Sequence, residues 1–304
     1  MVEERYRRQV QLLVQLLPIV AADDDFALKG GTAINLFDSD MPRLSVDIDL
    51  TYLGLEARDE ALGNCRARME RLAEMIERRT PGTRVERQCG ITDQLRLIAR
   101  MDRSFVKIES SPVARGVVGP VEFRDIDPAV EEQFGYARIQ CISRAELYGG
   151  KICAALDRQH PRDLFDVRRL MDGRGLTREV FEGFLVSLLS SSRPLAEILS
   201  PNRKDLSAEF VDDFQGMTDV PVTLASLEQS REELIDRIGE LMTVADSEFL
   251  LDFKRGEPDW DHFAYPHACE LPAIRWKQLN LDRMPPDRRR ATISKLDAVL
   301  TGMI

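Results

Sequence analysis

Between Ser45 and Leu53 polar and apolar residues alternate, with Val46, Ile48 and Leu50 on one side and Asp47, Asp49 and Thr51 on the other. A period of two marks a strand with one buried and one open face, so this segment predicts a sheet whose open face carries two aspartates. Two residues apart on a strand, Asp47 and Asp49 have Cα atoms roughly 6.7 Å apart and side chains leaving the same face. Carboxylates placed in this way can converge on shared cations, as a two-ion magnesium site for phosphoryl transfer requires. An Asp-x-Asp pair also arises on the exposed face of an edge strand, so its company decides its meaning.

Upstream, the apolar run Phe26-Ala-Leu28 stops at Lys29-Gly30-Gly31-Thr32, after which Ala33, Ile34, Leu36 and Phe37 read as a helical turn. This strand, glycine turn and helix would offer backbone N–H groups, a hydroxyl and the helix dipole to a phosphate, with Lys29 to neutralise charge. A tight turn that needs positive φ would use the same glycines. Downstream, Glu109 ends a strand over Ser104–Glu109, and a neighbouring strand can bring it beside the aspartates. There it would complete the metal shell or accept a proton from an attacking hydroxyl, where an ordinary strand-end glutamate would do neither. A helix over residues 58–79, weaker strands at 83–88 and 94–101 and a further strand over Tyr136–Ile142 complete an α/β half.

From residue 143 the pattern is helical. Ser143-Arg-Ala-Glu146 reads as a capping box opening a helix to about Arg158, and Pro161 suits the first position of another ending near Gly173. Lys151 and Arg158, seven residues apart, share one face and suit a triphosphate. Asp163 and Asp166, one turn apart in Arg162-Asp-Leu-Phe-Asp166, can orient those cations or form surface ion pairs. Residues 176–192 and 223–252 carry further helical periodicity, separated by a loop or weak linker at 191–221. The expected division is 1–142 and 143–304, with the helical part contributing Lys151 and the Arg162-Asp163 motif to the active site.

A chain of 304 residues with 43% apolar and 31% charged residues can bury its own core and reads as water-soluble. The five cysteines Cys65, Cys89, Cys141, Cys153 and Cys269 are scattered and fit a reducing cytoplasm. The apolar run after Arg5–Arg8 is interrupted by Gln11 and Gln15, so it reads as an amphipathic first helix rather than a signal peptide or a membrane span. A net charge of −10 argues against a protein that coats nucleic acid. The arginines between Arg66 and Arg87 read as a solvated helix face laced with Glu70, Glu74 and Glu77. There is no Walker lysine, no GxGxxG and no GxSxG. His262, His267 and Cys269 lack a fourth zinc ligand, and Phe263, Tyr265 and Trp276 read as core or interface aromatics rather than a base-stacking platform.

Leu28-Lys-Gly-Gly-Thr-Ala33, Arg43-Leu-Ser-Val-Asp-Ile-Asp-Leu50, Val106-Lys-Ile-Glu109, Glu146-Leu-Tyr-Gly-Gly-Lys-Ile-Cys-Ala-Ala-Leu-Asp-Arg158 and Arg162-Asp-Leu-Phe-Asp166 resemble, in that order, the AbiEii/AbiGii toxin family. Leu271-Pro-Ala-Ile-Arg-Trp-Lys-Gln-Leu-Asn280 is similar to that family's ending, so the resemblance spans roughly residues 20 to 282. It implies an α+β fold, with a polymerase β-like nucleotidyltransferase core of mixed sheet and flanking helices followed by an α-helical C-terminal part. It also implies a magnesium site on Asp47, Asp49 and Glu109, and NTP binding by Lys29, Gly30, Gly31, Thr32, Arg43, Ser45, Lys151, Arg158, Arg162 and Asp166, with Asp163 or Asp166 as the acid of the last motif. The partners implied are a separately encoded antitoxin and a tRNA acceptor whose modified 3′ end stops translation. Thr32 stands where related polymerases carry serine, and the gap to Asp47 is longer than in many of them. Transfer to a small-molecule or protein hydroxyl, and a catalytically silent binding module, are the competing readings.

Overall fold

A computed structural model describes residues 4–88, 95–111 and 113–303. The chain divides into two compact units, Met1–Ser143 with Gln215–Pro221, and Arg144–Phe214 with Val222–Ile304.

The first unit runs α1 (Glu4–Val20), β1 (Phe26–Lys29), α2 (Gly30–Phe37), β2 (Asp47–Tyr52), α3 (Arg58–Arg79), β3 (Arg84–Gln88), β4 (Leu95–Met101), β5 (Ser104–Ser110), β6 (Glu122–Asp125), α4 (Pro128–Phe134) and β7 (Arg138–Cys141). Among the described residues seven strands form one mixed sheet, ordered β3-β4-β5-β2-β1-β7-β6. β2 pairs in parallel with β5, and β1 with β7. The other neighbours are antiparallel. β2 therefore sits inside the sheet, and its alternation survives where it matters: Ile48 and Leu50 are buried while Asp47 and Asp49 are half-exposed. Beyond Leu50 both faces are covered, because Thr51 and Tyr52 are buried too.

Helices line the sheet through apolar stripes. α1 buries Val10, Leu13 and Leu17 and is pinned to β5 by Gln9, whose Nε2 donates to the Phe105 carbonyl at 2.9 Å. α3 turns Cys65, Met69, Leu72 and Ile76 inward, at the spacing a half-buried helix demands. Ion pairs tie its polar face: Arg68 of α3 pairs with Asp23 and Asp25, and Glu70 and Glu77 of α3 pair with Arg87 of β3. β6 and α4 lie outside the sequence expectation. Three of the four residues of β6 are charged and it lies at the sheet edge, so periodicity gives it no signal. The start of α4 was legible, since Asp127 accepts from the Ala129 N–H and Pro128 takes the first helical position.

The second unit holds α5 (Arg144–Asp157), α6 (Pro161–Asp172), α7 (Arg178–Ser190), α8 (Leu195–Leu199), α9 (Ser207–Asp213), α10 (Leu224–Leu241), α11 (Val244–Arg255), α12 (Pro272–Asp282) and α13 (Pro286–Thr301). Two expectations change here. The helical periodicity at 223–252 is divided between two helices, because Thr243 opens α11 with a capping box to Asp246. The expected linker at 191–221 contains α8 and α9, and its end folds with the first unit, where Met217 is buried and its carbonyl accepts from the Leu44 N–H at 2.9 Å. α5 and α7 cross in backbone contact: a Cβ on Gly149 would lie 2.2 Å from the Gly183 carbonyl carbon, and one on Gly183 would lie 2.2 Å from the Ala145 oxygen. Among the described residues no helix is long and apolar enough to cross a membrane.

Candidate active site

Strand register turns four sequence-distant residues into one row. Across β4, β5, β2 and β1, Arg96 stands opposite Glu109, Glu109 beside Asp49, and Asp49 opposite Lys29. Registered residues share a face, so the row reads cation, carboxylate, carboxylate, cation. Asp47 lies one row away, beside Lys107. Two carboxylates held side by side repel, and the flanking charges offset that cost. Arg96 Nε bonds the Glu109 carboxylate, and Lys107 Nζ sits 3.5 Å from Glu109 Oε2 and 3.8 Å from Asp47 Oδ2. The Lys29 side chain makes no hydrogen bond or ion pair within 4 Å among the described residues. Burial holds its ammonium below the usual lysine value, against the opposing pull of the Asp49 charge.

The glycine turn is built around Asp49. Gly30 has φ of 73°, and a Cβ there would meet Asp49 Oδ2 at 2.5 Å, so only glycine both adopts the turn and leaves the carboxylate in place. Gly31 is closed from behind, where a Cβ would meet Arg43 Nη2 at 2.8 Å and Ser45 Oγ at 3.1 Å. α2 opens here with Lys29 at its N-cap, and the Lys29 side chain makes no capping hydrogen bond. The helix N-terminus is thus built as an anion site lies in other folds, with its first N–H groups uncapped by a side chain. Thr32 is placed differently from expectation. It is buried, and its hydroxyl bonds Ser45 Oγ at 2.9 Å and the Asp47 carbonyl, so it ties α2 to β2 from beneath. Arg43 is buried too, with Nη1 donating to the Leu44 carbonyl at 2.8 Å. Arg43, Ser45 and Thr32 form the floor of the turn.

The donor set suits magnesium, which is commonly held by one or two carboxylates completed by water and phosphate oxygens. Asp47 and Asp49 share a half-exposed face and would hold it. Among the described residues no group of three acids, histidines or cysteines gathers closely enough to hold an ion alone, and Glu109 is engaged by Arg96 and Lys107.

In the second unit the expected cations and acids form a buried network. Lys151 Nζ lies 2.8 Å from Asp163 Oδ1 and 3.1 Å from Asp166 Oδ2, with both aspartate side chains 1% exposed. Arg158 adds two bonds to Asp163, one from Nη2 at 2.9 Å. Burial alone would raise the Asp163 carboxyl, but the Lys151 charge and the Arg158 hydrogen bonds outweigh it and hold the group far below the usual aspartate range. His160 caps α6 by accepting from the Arg162 N–H at 3.2 Å, which brings Asp163 into the first turn. Arg162 is half-buried, and its side chain makes no ion pair among the described residues.

Sequence reasoning missed Arg96 and Lys107. Lys107 carried a signal, since it precedes Glu109 by two and must share its face, whereas Arg96 required the β4–β5 register. Of the three aromatics, Phe263 is buried and stacks on Phe249 with centroids 4.4 Å apart. Trp276 is not a core residue: it is 55% exposed, because the inward face of α12 is taken by Ala273, Ile274 and Leu281.

The family model for the nucleotidyl transferase AbiEii toxin of type IV toxin–antitoxin systems matches residues 11–277. Curated proteins give no match. Among solved structures the chain is similar to MenT4, a nucleotidyltransferase toxin from Mycobacterium tuberculosis H37Rv, with a TM-score of 0.60 and 17% identity over 97% of this chain and 93% of that one. At that identity the likeness is one of fold.

Proposed function

This chain belongs to the AbiEii family of nucleotidyltransferase toxins of type IV toxin–antitoxin systems, and we propose that it moves a nucleoside monophosphate from an NTP to the 3′ hydroxyl of a tRNA, which stops translation. Its partners are an NTP and an antitoxin; the tRNA, the use of magnesium and a cytoplasmic location belong to the proposal. The observation that carries it is the Asp49 carboxylate seated against Gly30 at the mouth of an uncapped helix, with Asp47 on the same face.

In this reading Asp47 and Asp49 hold magnesium, which when bound neutralises the triphosphate and steadies the departing pyrophosphate. The first N–H groups of α2 and the Lys29 ammonium receive phosphate oxygens. Arg43, Ser45 and Thr32 keep the turn and β2 in fixed relation, so the carboxylates need no rearrangement when substrate arrives. Glu109, held by Arg96 and Lys107, fixes the strand beside Asp49. Lys151 and Arg158, expected on the order of the motifs to meet the triphosphate, are engaged by Asp163 and Asp166, and in this reading they hold α5 to α6. The RNA oxygen forms the new bond to the α-phosphorus, the bond to pyrophosphate breaks, and the hydroxyl proton leaves to solvent.

Incubation with each labelled NTP and total tRNA tests this. RNase-sensitive label that disappears in Asp49→Asn is the expected result. Label that resists RNase would move the acceptor to a small molecule or protein.

A further inference from the structure

The chain's two tryptophans are treated in opposite ways. Trp260 is surrounded by Phe249, Phe253 and Phe263, with ring centroids 5.3, 6.2 and 5.6 Å away. Trp276 stands in the open on α12, with Leu279 one turn further along at 40% exposed. Arg275 precedes the indole and Arg283 follows Leu279, so Trp276, Leu279 and Arg283 fall at i, i+3 and i+7 on one helical stripe. The other side of α12 is buried and lies against α7, so this stripe is not the helix's packing face.

This region is basic within an acidic chain, as are residues 66–107, where Arg68 and Arg87 are already paired with acids. Residues 271–304 carry seven Lys and Arg against three Asp, a net charge of +4 in a chain whose total is −10. The side chains of Arg283 and Arg288 are exposed and make no hydrogen bond or ion pair among the described residues. A locally basic region with unpaired arginines attracts a polyanion even on a chain that is acidic overall. An exposed indole bracketed by arginines is the arrangement single-stranded nucleic acid uses, with a base on the ring and phosphates on the guanidinium groups.

Building on the reading that the acceptor is RNA, we propose that the α12 stripe of Trp276, Leu279 and Arg283, with Arg288 at the start of α13, is a docking surface for a single-stranded segment of that RNA. It binds without reading sequence, because every base has a face to stack. Removing it weakens capture of RNA and leaves NTP handling intact.

The test is binding of fluorescent tRNA to the full chain at fixed ionic strength, beside the KM for tRNA and the KM for NTP. Trp276→Ala is expected to weaken tRNA binding and raise its KM about tenfold, within the range base stacking supplies. Trp276→Phe should retain most of both. Arg283→Glu with Arg288→Glu should weaken binding and flatten its salt dependence. In each variant the NTP KM and the melting temperature should match the wild type. Wild-type tRNA affinity in both Trp276→Ala and the double arginine variant overturns the docking surface. If those variants keep RNA affinity but escape neutralisation by the antitoxin, the stripe belongs to a protein partner and the proposal falls. If the wild type labels no RNA, the acceptor reading fails first and this surface fails with it.

Discussion

The two clusters of acids and cations differ in how they are satisfied. On the sheet, Asp47 and Asp49 stay half-exposed, and Lys29 is close enough to feel Asp49 without forming an ion pair within 4 Å among the described residues. In the helical unit, Lys151 is closed between Asp163 and Asp166, with Arg158 bonded to Asp163. The same residue types thus serve opposite ends. The row on the sheet leaves charge to be completed by a ligand, whereas the buried network completes itself and holds two helices together. Loss of a member from the first should harm chemistry more than stability, and loss from the second should do the reverse.

The largest expected effect is on transfer in Asp47→Asn or Asp49→Asn. Rate should fall about a thousandfold or more, the several kcal/mol a positioned ion supplies, while the melting temperature stays level or rises as like charge is relieved. A matching loss of stability would break the comparison.

Next comes Asp163→Asn, which strands Lys151 with one acid fewer and should cost about 3–5 kcal/mol in denaturant unfolding. Its pH dependence has a definite sign. The folded carboxyl sits far below its unfolded value of about 3.9, so its contribution is complete above that pH and fades as acid approaches the lower folded value. The wild type should therefore lose stability more steeply than Asp163→Asn below about pH 4. Parallel acid limbs in the two proteins would remove the network's assigned role.

How much of this was legible follows from range. The Asp47–Leu50 alternation, the glycine turn and the Lys151 and Asp163 motifs are local patterns, and each lies on the strand, turn or helix that its spacing indicated. What the sequence withheld depends on partners far along the chain. The Arg96–Glu109–Asp49–Lys29 row needs three strand registers, and the inward role of Thr32 needs the floor formed by Arg43 and Ser45. The return of residues 215–221 needs the Leu44–Met217 hydrogen bond. The Gly149–Gly183 contact left only two glycines as its trace, and glycine alone does not announce a helix crossing.

That crossing yields the third prediction. Gly183→Ala pushes a methyl into the backbone of α5 and should destabilise by about 1–3 kcal/mol, with transfer affected only through folding. Calorimetric melting beside activity on the folded fraction separates the two, and a normal melt with lost activity would show that the helical unit is more than a scaffold.

The smallest effect concerns Lys29. Because its ammonium is held below the ordinary lysine value, it loses its proton at lower pH than a surface lysine, and NTP affinity should weaken by about tenfold as pH rises through that point. Lys29→Arg should keep affinity at alkaline pH. An identical alkaline profile in both proteins would place the phosphate elsewhere.

The most direct measurement is calorimetric binding of NTP with magnesium to the wild type, Asp47→Asn, Asp49→Asn and Asp163→Asn, each first shown to be folded. Saturable binding that disappears in the two sheet variants and survives in folded Asp163→Asn is what the account predicts. Undiminished binding in both Asp47→Asn and Asp49→Asn would contradict it.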